Sequence, residues 1–538
     1  MLAGSAATVA PQLLLVNAKV FTADAAQPAA QAVAVEDGLI LAVGSNAQIR
    51  SLAGPATRTI DAGGRLLVPG LTEAHVHLAQ ELPAPPLAMP NLPFPGPTGD
   101  QALAAVKTAI DAAQNADGWI NAYIGPLVAR DPRNWRKALD AVAPTRPVFL
   151  RGFWGHTSIV NSEGLRRLGI ADDVADPLGG WWGRDEAGRL DSRAYEAAET
   201  IGPRIRPATP ERLAQAYSEA ATRYARWGVT TIHLMNSDKS LDATLAGLAL
   251  AKTGLKWTVY NWGVWQTPAD NIALAWTVID AAKSRTPDKV RIEGPKWVLD
   301  GSPIEQYSRQ RDAYVGGAGW RGRSNFTDAQ LRQMLQLALD HPTQPALHVV
   351  GDAETDRLLK LMTELAPAAM WRAKRVRIEH GDGLRADTLA QAARLGIVVV
   401  QNPTHLALPM MPGGLKMLDH PALLASLPAA GIALAFGSDG GRNEHNPFLN
   451  LMLAAGYAEP GETLSREAAL RAYTAGGAFA ERQERRRGRI QPGLAADLAL
   501  QSQDVLTVPA PQLPATVSLL TLVDGLIVFE DAALAPAK

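Results

Sequence analysis

The sequence predicts an α/β protein, a (β/α)8 barrel joined to a small β-sandwich built from both chain ends. Three observations carry this expectation. Short apolar strands alternate with amphipathic helices through the middle of the chain, as in a parallel sheet covered by helices. A different texture of strands and tight turns occupies the first 70 residues and returns near the C-terminus. Ligand-type side chains fall at the carboxyl ends of several separate strands, where barrel enzymes place their chemistry.

From the N-terminus, LLLVNAKVF, AVAVEDGLILAVG and TIDAGGRLLVPG read as short strands, with Asp37-Gly38 suited to a hairpin turn. ADLAL and TLVDGLIVFE, with Asp524-Gly525, repeat that texture after a long gap. Neither end alone offers enough strands to bury a face, so residues 1–70 and 481–538 are expected to share one sandwich around a barrel at 71–480. The eight expected barrel strands are Leu66–His77, Val229–Met235, Trp257–Trp262, Pro295–Leu299, Ala346–Val350, Val376–His380, Ile397–Gln401 and Ile432–Gly437. Thr327 and Gln330 form a capping box ahead of Leu331, Met334, Leu335, Ala338 and Leu339, and Asp387 is placed to cap a helix that Gly396 ends. Residues from 80 to about 225 do not fit the repeat and read as an insertion over the barrel mouth. It holds a strand at VFLR (148–151), a helix near Pro210–Trp227 and a Pro-rich loop at 82–97 that would serve as a lid.

Composition narrows the chemistry. Among 538 residues, 52 Lys plus Arg balance 53 Asp plus Glu, so no broad basic surface argues for nucleic acid or an anionic membrane. No run of 18 apolar residues could span a bilayer. The absence of cysteine removes disulfides, thiolate zinc sites, iron–sulfur clusters and cysteine nucleophiles, so any metal must be held by nitrogen and oxygen. The segment MLAGSAATVAPQ reads as a disordered tail or the stub of a processed export signal, which leaves the compartment open between cytoplasm and periplasm. A homo-oligomer is likewise left open.

The sharpest local signal is Glu73-Ala-His75-Val-His77. Period-two geometry puts both imidazoles on one strand face about 7 Å apart, suited to two ligands of one metal. Lys296, His348, His380 and Asp439 stand at the ends of other expected strands, a convergence that packing does not explain because buried charge is costly. On residues alone, Lys296 also fits a salt bridge with Asp300, and Asp439 a turn cap.

The run VPGLTEAHVHL, followed in order by PKWVLDGS, LHVVGDA, RIEHGD, QNPTHL, GSDGGRNEHNPF and RGRIQPGLAADLAL, resembles the amidohydrolase superfamily over about residues 13–530. Its nearest likeness is the amidohydrolase-3 branch that includes N-substituted formamide deformylases. The resemblance implies that His75 and His77 bind the more buried of two ions and that His348 and His380 bind the second. It also implies that Lys296 is carboxylated by CO2 to bridge them, while Asp439 completes the first site and shuttles a proton. Zn2+ is the default for such ligands, with Mn2+, Fe2+ or Co2+ also fitting. By the same likeness His156 and His405 contact substrate or polarise its carbonyl. Trp154 and Ile159 stand where the branch has an Asp and an aromatic residue, and Glu73 where it commonly has Asp.

The function expected is hydrolysis of a non-peptide carbon–nitrogen bond in a small molecule, an N-acyl or N-formyl amide. Trp119, Trp135, Trp154, Trp181 and Trp182 suggest an apolar or aromatic substrate group. Lactone, ester or cyclic-imide hydrolysis and heterocycle deamination run on the same kind of site, and a non-catalytic relative is a third class. His233 reads as a satisfied barrel residue, His341, His420 and His445 as surface positions, and ERQERRRGR (481–489) as a solvated helix end.

Overall fold

The computed structural model describes residues 10–534 except 79–86, 93, 113–117, 200, 237–239, 263–270, 316, 411–421 and 441–445. Among the described residues, no helix is long and apolar enough to cross a membrane.

The two chain ends do meet. A six-stranded sheet places Leu526–Glu530, Ser518–Val523 and Leu498–Gln501 beside Leu66–Pro69, Lys19–Phe21 and Ala29–Ala30, with Leu498 opposite Pro69 in antiparallel register. A four-stranded sheet of Leu39–Gly44, Ala32–Glu36, Leu13–Val16 and Arg58–Asp61 lies with it. Leu15, Val33, Val35 and Leu67 from the first end share one buried cluster with Leu498, Leu500, Leu520 and Leu522 from the other. Asp37-Gly38 and Asp524-Gly525 have positive φ at both residues, 47° and 78° in one and 48° and 71° in the other. This is the hairpin geometry that matches the right-handed twist of the flanking strands.

The barrel is an eight-stranded sheet in sequence order, every pairing parallel. Its strands are Leu71–Val76, Val229–Asn236, Lys256–Trp262, Val290–Val298, Ala346–Val349, Arg377–His380, Val398–Gln401 and Ala433–Phe436, called barrel strands one to eight below. The expected first strand, Leu66–His77, is in fact two: Leu66–Pro69 serves the sandwich and Leu71–Val76 the barrel. Gly70 makes the passage between sheets, since a Cβ there would lie 2.3 Å from Thr230 Oγ1. Past the end of strand eight, Asp439 N donates to His75 O at 2.8 Å and His77 N to Gly440 O at 3.0 Å, joining the last strand's loop to the first strand.

The insertion carries its own five-stranded sheet, of which Val148–Gly152 is one member beside Ile120–Ile124 and Thr157–Val160. The helix Pro210–Arg226, capped by Thr209, packs instead in the barrel layer. Its Leu213, Tyr217, Ala220 and Tyr224 join Val229, Ile232 and Trp257 in one core. The loop at 82–97, read as a lid, falls partly outside the described residues. The capping box of Thr327 and Gln330 forms as expected. Asp387 does not cap; it pairs with Arg311 at 2.9 Å, leaving Thr388 at the N-cap, while Gly396 ends that helix at φ 69°.

The run 481–489 is solvated only in part: Arg485 and Arg486 are exposed as expected, but Glu481, Gln483 and Arg487 are buried. Glu481 is fully buried and binds Arg487 at 2.6 Å, so this segment closes the barrel floor on its way to the sandwich. Beside it, Lys256 at the start of strand three reaches Asp497 at 2.7 Å and Asp524 at 2.7 Å, tying barrel to sandwich. Removing one partner of such a buried pair strands the other charge. Lys256→Met is therefore expected to lower unfolding free energy by about 3–5 kcal/mol in urea titration; a change below about 0.5 kcal/mol, the size of an ordinary surface substitution, would contradict the pair's role.

Candidate metal centre

The carboxyl ends of the barrel strands deliver the chemistry to one place. His75 lies on strand one and His77 just past it, Lys296 on strand four, His348 on five and His380 at the end of six; His405 and Asp439 follow strands seven and eight. His380 and Asp439 hold φ of 69° and 51°, left-handed values that cost a non-glycine residue about 1–3 kcal/mol and concentrate at functional sites. Neighbouring ring centroids are 5.0 Å apart for His75 and His380, 4.6 Å for His348 and His380, and 5.3 Å for His380 and His405.

Three of these imidazoles have one nitrogen committed outward. His75 Nδ1 is 2.6 Å from Glu379 Oε2, His77 Nδ1 3.1 Å from the Met235 carbonyl, and His380 Nδ1 2.8 Å from Asn402 Oδ1. Carboxylate and carbonyl oxygens only accept, so each Nδ1 that bonds to one carries a proton, and in the neutral ring Nε2 keeps the lone pair that a metal can take. His75 Nε2 and His77 Nε2 lie 3.4 Å apart, at 3.3 and 3.4 Å from Asp439 Oδ1. One potential ligand atom each from His75, His380 and Asp439 lies within 4.8 Å of the others. Among the described residues, buried His348 Nε2 has no hydrogen-bond partner. Two lone pairs and a carboxylate oxygen converging in a buried cluster are a donor set for a cation, and this set fits a divalent metal.

Electrostatics agree. Burial pushes His380 down to about 3 and His348 well below its usual range, keeping both rings neutral. Burial would raise Asp439, but His75 and a hydrogen bond from His405 hold it well below the usual carboxylate range. Lys296 is 2% exposed, and burial pushes its amine down to about 8, against the pull of Glu379 and Asp439. Its alternative partner is engaged elsewhere: Asp300 accepts from the backbone N–H groups of Val350, Gly351 and Arg309.

His156 arrives from the insertion, its ring centroid 4.9 Å from that of His348. Glu196 Oε2 lies 2.9 Å from its Nδ1 and, with Glu305, outweighs burial to raise it to about 9. His405 lies 3.6 Å from both Asp382 and Asp439, which outweigh burial and raise it to about 10. Glu73 is a backbone clamp between strands one and eight, accepting from Ser438 N at 2.7 Å and His75 N at 3.1 Å, and burial pushes it up to about 8.

Sequence reasoning missed Glu379, Asn402, Asp382 and Glu196. The first three stand inside the quoted runs RIEHGD and QNPTHL, so proximity to a candidate ligand histidine was a usable signal; Glu196, from the insertion, had none. Of the tryptophans, Trp135 and Trp182 pack cores of the insertion with Trp119 against the second, and Trp181 stacks on Tyr195. Trp154, partly exposed, stands two residues before His156. His233 is fully buried, and His341 stacks on Trp276; His420 and His445 lie outside the described residues.

A family model described as "Amidohydrolase family" matches residues 58–529. The chain is 25% identical over 534 residues to Protein LONG AFTER FAR-RED 3 of Arabidopsis thaliana, covering 92% of this chain and 88% of that one. It is 26% identical over 556 residues to N-substituted formamide deformylase of Arthrobacter pascens, covering 96% and 98%. Its fold is similar to that of an uncharacterized metal-dependent hydrolase from Pyrococcus horikoshii OT3, with TM-score 0.66 and 17% identity over 93% of this chain and 99% of that one. The match runs from the sandwich strand Arg58–Asp61 through the whole barrel to the returning C-terminal strands, and the chain belongs to the amidohydrolase family, in its amidohydrolase-3 branch.

Proposed function

We propose that this protein is a metal-dependent hydrolase of a non-peptide carbon–nitrogen bond in a small molecule, an N-acyl or N-formyl amide. The observation that carries the reading is the convergence of His75 and His77 Nε2 lone pairs, 3.4 Å apart, on Asp439. The similarity to an N-substituted formamide deformylase supports the bond type. Phe153 and Trp154, partly exposed on the turn that delivers His156, support an apolar group on the substrate.

His75, His77 and Asp439 would hold one divalent ion and His348 and His380 a second, with Zn2+ the default for these ligands. Lys296 would bridge them as a carbamate: its neutral amine adds to the carbon of CO2 and releases a proton, leaving an anion with two oxygens. Bound there, the ions supply Lewis acidity toward a carbonyl oxygen and a source of hydroxide at neutral pH. His156, protonated and held by Glu196, donates to the carbonyl oxygen as it gains charge. Asp439 takes the proton released as water adds to the carbonyl carbon and delivers it to the leaving nitrogen. The carbon–nitrogen bond then breaks with a carboxylate and an amine as products. His405, held by Asp382, steadies the Asp439 anion at Oδ2, the oxygen that His75 does not face.

On zinc-loaded enzyme, a panel of N-formyl and N-acyl amines, lactones, esters and imides is expected to show amide turnover. Asp439→Asn should lower kcat by at least about 100-fold, the scale of a lost general acid–base group, with the circular dichroism spectrum unchanged. Ester turnover without amide turnover, or an active Asp439→Asn variant, would contradict the proposal. The metal-free chain offers a second check. A histidine raised to about 9 from 6.5 adds stability that is full below pH 6.5 and fades as pH rises through about 9. The stability difference between wild type and His156→Gln in urea unfolding should therefore shrink by about 3 kcal/mol between pH 6 and pH 10. An equal difference at both pH values would contradict a charged His156.

A further inference from the structure

The nitrogen of His75 that turns away from the centre begins a buried polar chain. His75 Nδ1 donates to Glu379 Oε2 at 2.6 Å, and Arg377 donates to both Glu379 oxygens, at 2.8 Å from Nε and 3.0 Å from Nη2. Arg377 Nη1 reaches His233 Nδ1 at 3.0 Å, with the guanidinium 4.4 Å over the Tyr260 ring. His233 Nε2 lies 3.2 Å from Glu481 Oε2, and Glu481 accepts from Thr258 Oγ1 at 2.6 Å and from Arg487 Nη2 at 2.6 Å. The side chains of His75, His233, Arg377, Glu379 and Glu481 are all 0% exposed.

Every proton along this chain is dictated by its neighbours. A guanidinium only donates, so His233 Nδ1 must accept and its Nε2 must carry the hydrogen, 3.2 Å from Glu481 Oε2. A carboxylate only accepts, so His75 Nδ1 must donate, and in the neutral ring the lone pair stays on Nε2. Alternating donors and acceptors thus leave each imidazole one tautomer. The set crosses the barrel from strand one through strands six and two to the segment 481–487 that seals its floor. Packing alone would be served as well by apolar side chains, because a buried ion pair is often no more stabilising than hydrophobic residues of its volume. His77 and His380 lack this arrangement, their Nδ1 atoms facing the neutral Met235 carbonyl and Asn402 amide oxygen.

We propose that Glu379 is a positioning residue that, braced by Arg377, His233 and Glu481, fixes the tautomer and raises the donor strength of His75 from the barrel floor. The proposal rests on the metal-dependent reading above. An anionic acceptor behind a ligand imidazole raises its basicity, and loss of such a partner costs 10- to 100-fold in metal affinity, as a rule.

The test is zinc affinity of the full chain, measured by competition with a chromogenic chelator, alongside the melting temperature of the metal-free protein. Glu379→Gln is expected to weaken the tightest zinc site by about 10- to 100-fold. The pair Arg377→Met with Glu379→Gln, which removes both charges and strands neither, is expected to weaken it similarly. A purely structural role would move the metal-free melting temperature and leave affinity alone, so affinity within twofold of wild type in either folded variant overturns the proposal. Failure of both variants to fold would make the chain a strut for the barrel and overturn it too. A wild-type chain that takes up no zinc would remove the metal reading and this inference with it, whereas normal wild-type uptake with unchanged variants would remove the inference alone.

Discussion

The site is organised by which nitrogen of each imidazole holds the hydrogen. Once Glu379, the Met235 carbonyl and Asn402 have bound the Nδ1 atoms of His75, His77 and His380, the Nε2 lone pairs have no direction left but inward. Crowded lone pairs beside the Asp439 carboxylate repel in a poorly solvated pocket, and a cation turns that repulsion into attraction. Burial of His348 and His380 keeps those rings neutral and available as ligands.

The backbone that closes the barrel is the backbone that carries the site. Asp439 N binds His75 O, and Gly437 lies so close that a Cβ there would sit 2.4 Å from His75 N. Glu73 fastens the same two strands from within. First and last strands therefore meet in the residues proposed to share an ion, and the left-handed φ of Asp439 is supported by that junction. Two further protonated histidines, His156 from the insertion and His405 after strand seven, approach from outside the ligand cluster with their own carboxylates. The arrangement puts cations where a substrate carbonyl would gain negative charge and keeps Asp439 ionised between them.

Much of this was legible in the sequence. Eight strands could be found because each is a short apolar run closed by polar punctuation, and the candidate ligand histidines announced themselves by standing at those ends. The boundary inside Leu66–His77 was harder, since the apolar pattern is continuous across two sheets and only Pro69-Gly70 marks the change. The run 481–489 misled in part because composition cannot tell a solvated charge from one that turns inward; Glu481 enters the barrel, where it accepts from Thr258, far away in sequence. Glu379 was overlooked for a related reason: on a strand it faces away from His380 and serves His75, 304 residues away in sequence. Tryptophans, read as a substrate signal, proved largely to be core residues of the insertion, where large aromatic area is most useful.

Anomalous diffraction at the zinc edge from crystals of the zinc-loaded chain tests the central claim most directly. The account predicts two peaks: one at bonding distance, about 2.0–2.2 Å, from the Nε2 atoms of His75 and His77 and from Asp439, the other beside His348 and His380. Density for a carbamate on Lys296 should lie between them. Crystals with no anomalous peak among these side chains, or with zinc bound only elsewhere on the chain, would contradict it.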